Sequence, residues 1–203
     1  MEHSKLILLA LIAFIIRLYF TTLHDVVELD FYIILGINLI SGKGFVGYND
    51  TFNLLNMPMY PLMIGLFSLF IQNLEFAARL ISVIFGSFLV FPVFFLGREL
   101  YNKTIGYIAS IFLVFYFWLV DYSATVSSES TYLFFLTCGV FFGYLGLIKE
   151  TKFLYLITGI FLGLCYLTRT EGFGYVGIII LLSFVFWLFE KRNVHNLSYV
   201  EIL

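Results

Sequence analysis

The sequence predicts an all-α fold, a polytopic transmembrane helical bundle of about six spans. Of the 203 residues, 62% are hydrophobic and only 12% are charged, whereas a soluble domain carries about a quarter charged residues. The mean hydropathy is +1.01, so the chain holds more apolar surface than one water-exposed fold can bury. No basic stretch is long enough to bind nucleic acid, which excludes that class of function.

Six segments have the length of a transmembrane helix, which needs roughly 20 apolar residues. The first has no A-x-A cleavage site and Arg17 interrupts its end, so we interpret it as an uncleaved span and not as a signal peptide. Pro92 lies inside the second span and is expected to kink it. Cys138 and Cys165 lie in apolar runs and are interpreted as small core residues. The predicted spans are residues 5–22, 75–97, 104–121, 128–148, 153–170 and 173–190.

Two shorter apolar segments, residues 30–41 and 58–72, lie in the long loop that follows the first span. If 58–72 does not cross the membrane, the basic residues fall on one face and the acidic residues on the other, as the positive-inside rule requires. We therefore predict two cytoplasmic ends and a first outer loop, residues 23–74, that carries two juxtamembrane helices. The cytoplasmic group is Lys5, Arg98, Lys103, Lys149, Lys152, Lys191 and Arg192, and the outer group is Asp25, Glu28, Asp30, Asp50, Asp121, Glu129 and Glu171.

Three separate stretches bring ionisable residues to the outer face: HDVVELDFY, DYSATVSSES and LTRTEG. Each has an ordinary structural explanation. Asp30 is suited to cap the helix that follows it, and Ser127 or Ser128 is suited to cap the fourth span with Glu129 in its first turn. Arg169 at the end of a span is suited to reach the lipid headgroups.

Taken together, carboxylates and an arginine at a membrane surface suit the displacement of a lipid-linked phosphate. A carboxylate is able to deprotonate a hydroxyl acceptor, and an arginine is able to neutralise the phosphate as it leaves. A divalent metal ion held by carboxylates would share that second role. Nearby tyrosines and phenylalanines would hold the sugar or the lipid at the interface.

Several stretches, between about residues 20 and 175, also follow the order of motifs in a known family. They are DFYIILGINLISGKGF, NMPMYPLMIGLFSLF with its P-x-Y-P-L element, FAARLISVIFGSFLVFPVFFLGRELYNKTIGYIASIFLVF, SSES, and GLCYLTRTEGF with its T-R-x-E-G element. In this order they resemble the GT-C superfamily of integral-membrane glycosyltransferases. The likeness is to the group of dolichyl-phosphate-mannose–protein mannosyltransferases and aminoarabinose transferases, glycosyltransferase family 39 and its relatives.

The resemblance implies inverting transfer of a sugar from a polyprenyl-phosphate donor to a hydroxyl acceptor on a protein, a lipid or a glycan. It places the active site at the outer face of a bacterial or archaeal plasma membrane or of the endoplasmic reticulum. The general base of such an enzyme lies on the first luminal loop. In the family pattern D-E-x-x-Y the acidic residue stands four positions before the aromatic, which from Tyr32 is Glu28 and not an aspartate. Asp30 lies only two positions before Tyr32. Of these two candidates for the base we prefer Asp30. Glu129 matches the second acidic position.

The resemblance also implies a substrate-binding set. Arg169 and Glu171 match the T-R-x-E-G element and would line the donor-phosphate side. Arg79 matches an A-A-R-L element, where it would either reach a phosphate or have a structural role. The substrate-binding residues predicted in this way are Arg169, Glu171, Arg79, Tyr32, Tyr60 and Asp121.

Family members have more spans than this chain and often a C-terminal outer domain, so residues 1–203 are expected to be the N-terminal part of a GT-C-type module. The alternative is a degenerate or truncated, non-enzymatic membrane protein that binds polyprenyl lipid or a partner subunit. A transporter or flippase would show inverted repeats and polar groups at the membrane midplane. Here the ionisable residues gather at one surface, and only Arg17 lies well within a predicted span.

Overall fold

The computed structural model describes residues 2–25, 30–53, 55–175, 177–178, 180–181 and 184. In these residues the chain is all-α, apart from one isolated bridge between Val46 and Phe52 and a short 3-10 turn at Tyr48–Asp50. The helices are α1 (Glu2–Thr21), α2 (Phe31–Ile40), α3 (Met59–Ser68), α4 (Leu74–Phe88), α5 (Val90–Leu100), α6 (Lys103–Phe115), α7 (Phe117–Ala124), α8 (Glu129–Lys149) and α9 (Lys152–Thr168).

The predicted all-α membrane bundle is confirmed. Within the described residues, three helical segments are long and apolar enough to cross a membrane, namely His3–Thr21, Leu74–Leu100 and Glu129–Lys149. The fifth predicted span corresponds to α9, which is 17 residues long. Most of the sixth, residues 173–190, lies outside the described residues.

The third predicted span is not one straight helix. It is divided into α6 and α7, whose axes differ by 54°, because Tyr116 leaves the helical conformation at φ −69° and ψ 109°. With the pair counted as one broken span, the described chain has up to four spans, besides the shorter α9.

The second span is nearly continuous despite Pro92. Proline has no N–H to donate to the residue four positions earlier, here Phe88, and this is where α4 ends. Leu89 nevertheless keeps helical angles, at φ −56° and ψ −23°, and α4 and α5 together form one apolar stretch of 27 residues. Pro92 was expected to kink the span; the structure shows a local interruption of the helix at Leu89, and the span is not among the helix pairs bent by more than 40°.

The loop helices α2 and α3 are too short to cross. Each has 10 residues and is about 15 Å long, half of the roughly 30 Å hydrocarbon thickness. They pack closely because Gly36 and Gly65 face each other; a Cβ on Gly36 would lie 2.4 Å from the carbonyl oxygen of Pro61. This agrees with the prediction that 58–72 does not span the membrane, while the interfacial location of both helices remains a prediction.

The longer helices pair in antiparallel fashion across small residues. Helices α8 and α9 are joined by two residues, and Gly139 of α8 packs on Leu162 of α9, while Gly143 packs on Thr158. Helices α5 and α6 meet at Gly97 and Gly106 in the same way. These pairings put the basic loops before α6 and before α9 at one end of the bundle, and the acidic segments at the other.

The predicted orientation can be tested by N-glycosylation, because the chain has one sequon near each end of the bundle. Asn49 of the Asn49-Asp50-Thr51 sequon is exposed in the predicted first outer loop, and Asn102 of Asn102-Lys103-Thr104 is exposed at the basic end of the bundle. In microsomes we expect a mass increase that is lost in Asn49→Gln and unaffected by Asn102→Gln. Glycosylation at Asn102 would contradict the predicted orientation.

Candidate functional site

The acidic end of the bundle is organised around a buried tyrosine. Tyr60 of α3 is fully buried, and its hydroxyl accepts a hydrogen bond from the backbone N–H of Ser127 at 3.0 Å. The same hydroxyl lies 2.8 Å from Ser82 Oγ of α4, which donates to the carbonyl oxygen of Ser127 at 2.8 Å. Both backbone groups of Ser127 are thus satisfied, which fixes the turn from which α8 begins.

A cluster of three charged side chains lies beside this turn. Arg169 follows the last residue of α9, and its Nη1 is 2.5 Å from Glu129 Oε1, at the start of α8. Its Nη2 is 3.0 Å from Glu171 Oε1, and its Nε donates to the other carboxylate oxygen at 3.4 Å. We call Glu129, Arg169 and Glu171 the charged cluster.

The two carboxylates of the charged cluster are held differently. Glu129 also accepts a hydrogen bond from Ser127 Oγ, and 33% of its side chain is exposed, against 56% for Glu171. Hydrogen bonding to Arg169 holds the pKa of Glu171 below its usual range, so this carboxylate is ionised at neutral pH. One guanidinium therefore faces two carboxylates. Glu171 is the more exposed of the two and is therefore the one that another anion would more easily replace at Arg169.

The serines before α8 only partly play their predicted capping role. Ser128 occupies the N-cap position and Glu129 lies in the first turn, as expected. Ser128 has αR angles, however, and its side chain makes no capping hydrogen bond. Its hydroxyl lies 3.4 Å from Arg169 Nη1 instead, and Ser127 Oγ binds Glu129. Both hydroxyls therefore support the charged cluster.

Two cavities are lined by Arg169. The larger, of about 510 Å³, is bounded by Glu129, Arg169 and Glu171, and Arg169 Cζ lies 6.0 Å from the centre of the Tyr132 ring. We call it the aromatic cavity; its aromatic lining is Tyr116, Trp118, Tyr122, Tyr132 and Tyr175.

The smaller cavity, of about 170 Å³, is the polar cavity. Arg169 and Glu171 line it together with Tyr32 of α2. Its other lining residues are Leu55, Asn56, Met57, Thr168 and Thr170. The charged cluster therefore borders both an aromatic cavity and a polar one.

Asp30 stands at the beginning of the helix that carries Tyr32. It is the N-cap of α2, and its Oδ1 accepts a hydrogen bond from the backbone N–H of Tyr32 at 2.8 Å. Burial raises the pKa of this carboxyl, and the Tyr32 hydrogen bond partly opposes that shift. The Tyr32 ring packs edge-on against Tyr60, with the two centres 5.3 Å apart, so Asp30 is fixed relative to the Ser127 turn. Glu28, the other predicted base, lies outside the described residues.

Arg79 and Asp121 are engaged away from the charged cluster, around the end of α1. Arg79 is buried, donates to the carbonyl oxygens of Thr21 at 2.7 Å and Asp25 at 2.5 Å, and pairs with Glu75 at 2.5 Å. Asp121 of α7 lies 3.2 Å from His24 Nε2. Of the two roles expected for Arg79, these contacts favour the structural one.

The structure thus brings together some of the predicted site residues. Glu129, Arg169 and Glu171 form the charged cluster, and Tyr32 lines the polar cavity. Tyr60 was expected to contact substrate, but its hydroxyl is buried among protein groups, which include the carbonyl oxygen of Ala78 at 3.2 Å.

A divalent metal does not fit the described residues. No group of three His, Cys, Asp or Glu side chains among them is placed to hold a metal ion. The two carboxylates of the charged cluster, Glu129 and Glu171, both face the permanently charged guanidinium of Arg169. We therefore assign no chemical step to a metal.

Sequence reasoning missed the individual residues of the aromatic cavity. Trp118 and Tyr122 belong to α7, and Tyr132 lies one turn into α8. The run YFWLVDY directly before the acidic turn was the available signal, since Trp and Tyr concentrate at membrane interfaces. Their convergence on Arg169 depends on the bend at Tyr116.

Comparison with known proteins gives one family match. Residues 56–203, more than half of the chain, match the family described as dolichyl-phosphate-mannose-protein mannosyltransferase. The match covers the charged cluster, and Asp30 and Tyr32 lie before it. No match is found among curated proteins or among solved structures.

The role of Tyr60 is testable by removing its hydroxyl. Tyr60→Phe removes the partner of the N–H of the half-buried Ser127, which we expect to cost about 1 kcal/mol of unfolding free energy. We expect a lower thermal midpoint in detergent, measured by circular dichroism, whereas the control Tyr32→Phe should leave it unchanged. Unaltered stability of Tyr60→Phe with weakened substrate binding would show instead that the hydroxyl contacts substrate.

Proposed function

The chain belongs to the dolichyl-phosphate-mannose-protein mannosyltransferase family, and from this we propose that it transfers a sugar from a polyprenyl-phosphate donor to a hydroxyl acceptor. Membership makes it a membrane glycosyltransferase of the GT-C type, which uses a lipid-linked donor. We further propose that transfer takes place at the outer face, with inversion at the anomeric carbon. The observation that carries the proposal is that Arg169 lines both an aromatic and a polar cavity.

Arg169 is proposed to hold the donor phosphate. A polyprenyl-phosphate sugar carries one negative charge on its phosphodiester, and the polyprenyl phosphate that leaves carries two. A guanidinium beside the bridging oxygen therefore binds the departing group more strongly than the intact donor, which is the condition for accelerating the reaction. Glu171, the more exposed partner, would exchange its place for the phosphate, while Glu129, anchored by Ser127, keeps Arg169 oriented.

The aromatic cavity is proposed to receive the donor. Its Tyr and Trp rings offer apolar faces to a sugar ring and to the first isoprene units, and their polar edges suit a site between lipid and water. The cavity touches all three members of the charged cluster, so a sugar phosphate lying in it has its phosphate within reach of Arg169.

The polar cavity is proposed to receive the acceptor hydroxyl, with Asp30 as the general base. The acceptor oxygen attacks the anomeric carbon on the side opposite the phosphate, a carbon–oxygen bond to the phosphate breaks, and Asp30 takes the hydroxyl proton. Partial burial suits this role, because a raised pKa makes the carboxylate a stronger base. Glu28 remains the alternative base.

Loss of the guanidinium should weaken donor binding. Arg169→Ala removes a charge-assisted contact, for which we expect a Kd for polyprenyl-phosphate sugar about tenfold to a hundredfold higher. Isothermal titration in detergent micelles is the measurement. Arg98→Ala, which removes an arginine at the opposite end of the bundle, is the matched control and should bind as the wild type does. An unchanged Kd in Arg169→Ala would refute this assignment.

If Asp30 is the general base, its substitution should affect the rate of sugar transfer and leave donor binding unchanged. Asp30→Asn should abolish transfer while the protein stays folded and binds donor, and Glu28→Gln should keep activity. Because the base acts only when ionised, kcat/KM of the wild type should fall as pH decreases through the raised pKa of Asp30. The acidic limb should therefore lie above the ordinary range of aspartate. Wild-type turnover in both variants would show that the general base does not lie on this loop.

A further inference from the structure

Arg17 is a buried cation that the proposed chemistry does not use. It lies in α1, four residues before the helix ends, and its side chain has 0% exposure. Among the described residues no carboxylate forms an ion pair with it. A charged side chain within a membrane-embedded bundle is costly and is generally retained for a function, often with backbone carbonyls as partners.

All three nitrogens of this guanidinium have partners. Nη1 donates to the carbonyl oxygen of Ala13 at 3.3 Å within α1. Nη2 donates to the carbonyl oxygen of Leu113 in α6 at 3.3 Å, and Nε donates to Ser123 Oγ in α7 at 3.2 Å. Arg17 therefore contacts both halves of the broken third span.

The Leu113 carbonyl is one that the break leaves without its helical partner. In a continuous helix it would accept from the N–H of Phe117, four residues later. Tyr116 is extended, and Phe117 begins a helix that runs 54° away from α6. An orphaned carbonyl inside an apolar bundle must find another donor, and Arg17 supplies it.

Ser123 connects Arg17 to the start of α8, next to the charged cluster. Its hydroxyl donates to the carbonyl oxygen of Leu119 at 2.6 Å and lies 2.9 Å from Ser130 Oγ. With its single proton used on Leu119, it accepts from both Arg17 and Ser130. Ser130 is the residue after Glu129. Gly86 of α4 leaves the space for this network, since a Cβ there would lie 2.2 Å from Ser123 Oγ.

We propose that Arg17 is a positioning residue that fixes the bend between α6 and α7 and so builds the aromatic cavity. Helix α7 carries Trp118, Leu119 and Tyr122 to the cavity wall. Without a donor between the two halves, α7 would lose its angle, and these side chains would move away from Arg169. The consequence for transfer rests on the proposed function, whereas the placement of α7 does not.

The geometry requires arginine and not merely a positive charge. The planar guanidinium presents donors in three directions, toward α1, α6 and α7 at once. A lysine ammonium is a single nitrogen and is unable to replace contacts made by three separate nitrogens. Lysine at this position would keep the positive charge but would not connect α1, α6 and α7.

Trp118 provides a direct reading of the position of α7. The chain has two tryptophans, so Trp187→Phe leaves Trp118 as the only one. In this background we would compare Arg17→Gln, Arg17→Lys and Ser123→Ala with the parent, by the Trp118 emission maximum and its quenching by a brominated detergent. Arg98→Gln, at the opposite end, is the matched control. The Kd and kcat for a polyprenyl-phosphate sugar would be measured in the same set.

We expect shifted emission and altered quenching in both Arg17 variants, a smaller change of the same sign in Ser123→Ala, and none in Arg98→Gln. The Kd for donor should rise at least tenfold in Arg17→Gln and Arg17→Lys. Unchanged Trp118 emission and donor Kd in a folded, monodisperse Arg17→Gln would overturn the inference. If that variant does not fold, unchanged emission in Ser123→Ala overturns it. A Trp118 shift in a protein whose parent binds no donor supports the inference and refutes only the proposed function.

Discussion

The architecture depends on one constraint, that backbone polar groups inside an apolar bundle must have partners. Regular helices meet this constraint internally, but the chain has a break at Tyr116 and a turn at 125–128 near the acidic end of the bundle. Arg17 donates to the Leu113 carbonyl freed at the break. Tyr60 and Ser82 bind both backbone groups of Ser127 in the turn. Side chains from distant parts of the chain thus make irregular backbone stable where the site is built.

The site follows from these two irregular segments. The bend brings the aromatic residues of α7 beside α8, and the turn places Glu129 where the end of α9 presents Arg169. The Arg169–Glu129 contact is half-buried, whereas Glu171, the second partner of Arg169, is exposed, and an exposed ion pair adds little to stability. Arg79 differs from Arg169 in that it is buried and donates to the backbone carbonyl oxygens of Thr21 and Asp25, contacts that are typical of a structural arginine.

Sequence patterns predicted the bundle and placed Glu129 and Arg169 on the same face, because span length and charge sorting are properties of the local sequence. The N-cap role predicted as one possibility for Asp30 also depends on local sequence, and it is confirmed. The break at Tyr116 was not predictable, since no glycine or proline marks it and the stabilising Arg17 is 96 residues away from Leu113 in sequence. The structural contacts of Tyr60 and Arg79 likewise depend on backbone groups distant in the sequence, and motif matching alone gave both residues a place near substrate.

We propose above all that a polyprenyl-phosphate sugar occupies the aromatic cavity with its phosphate on Arg169. Photo-crosslinking tests it most directly, with a polyprenyl-phosphate sugar that carries a diazirine on its first isoprene unit and with mass spectrometry of the labelled peptides. We expect labelling of α7 and the first turns of α8, at Trp118, Tyr122 or Tyr132, and we expect excess unlabelled donor to prevent it. Labelling confined to other helices, or labelling that donor does not compete, would contradict it.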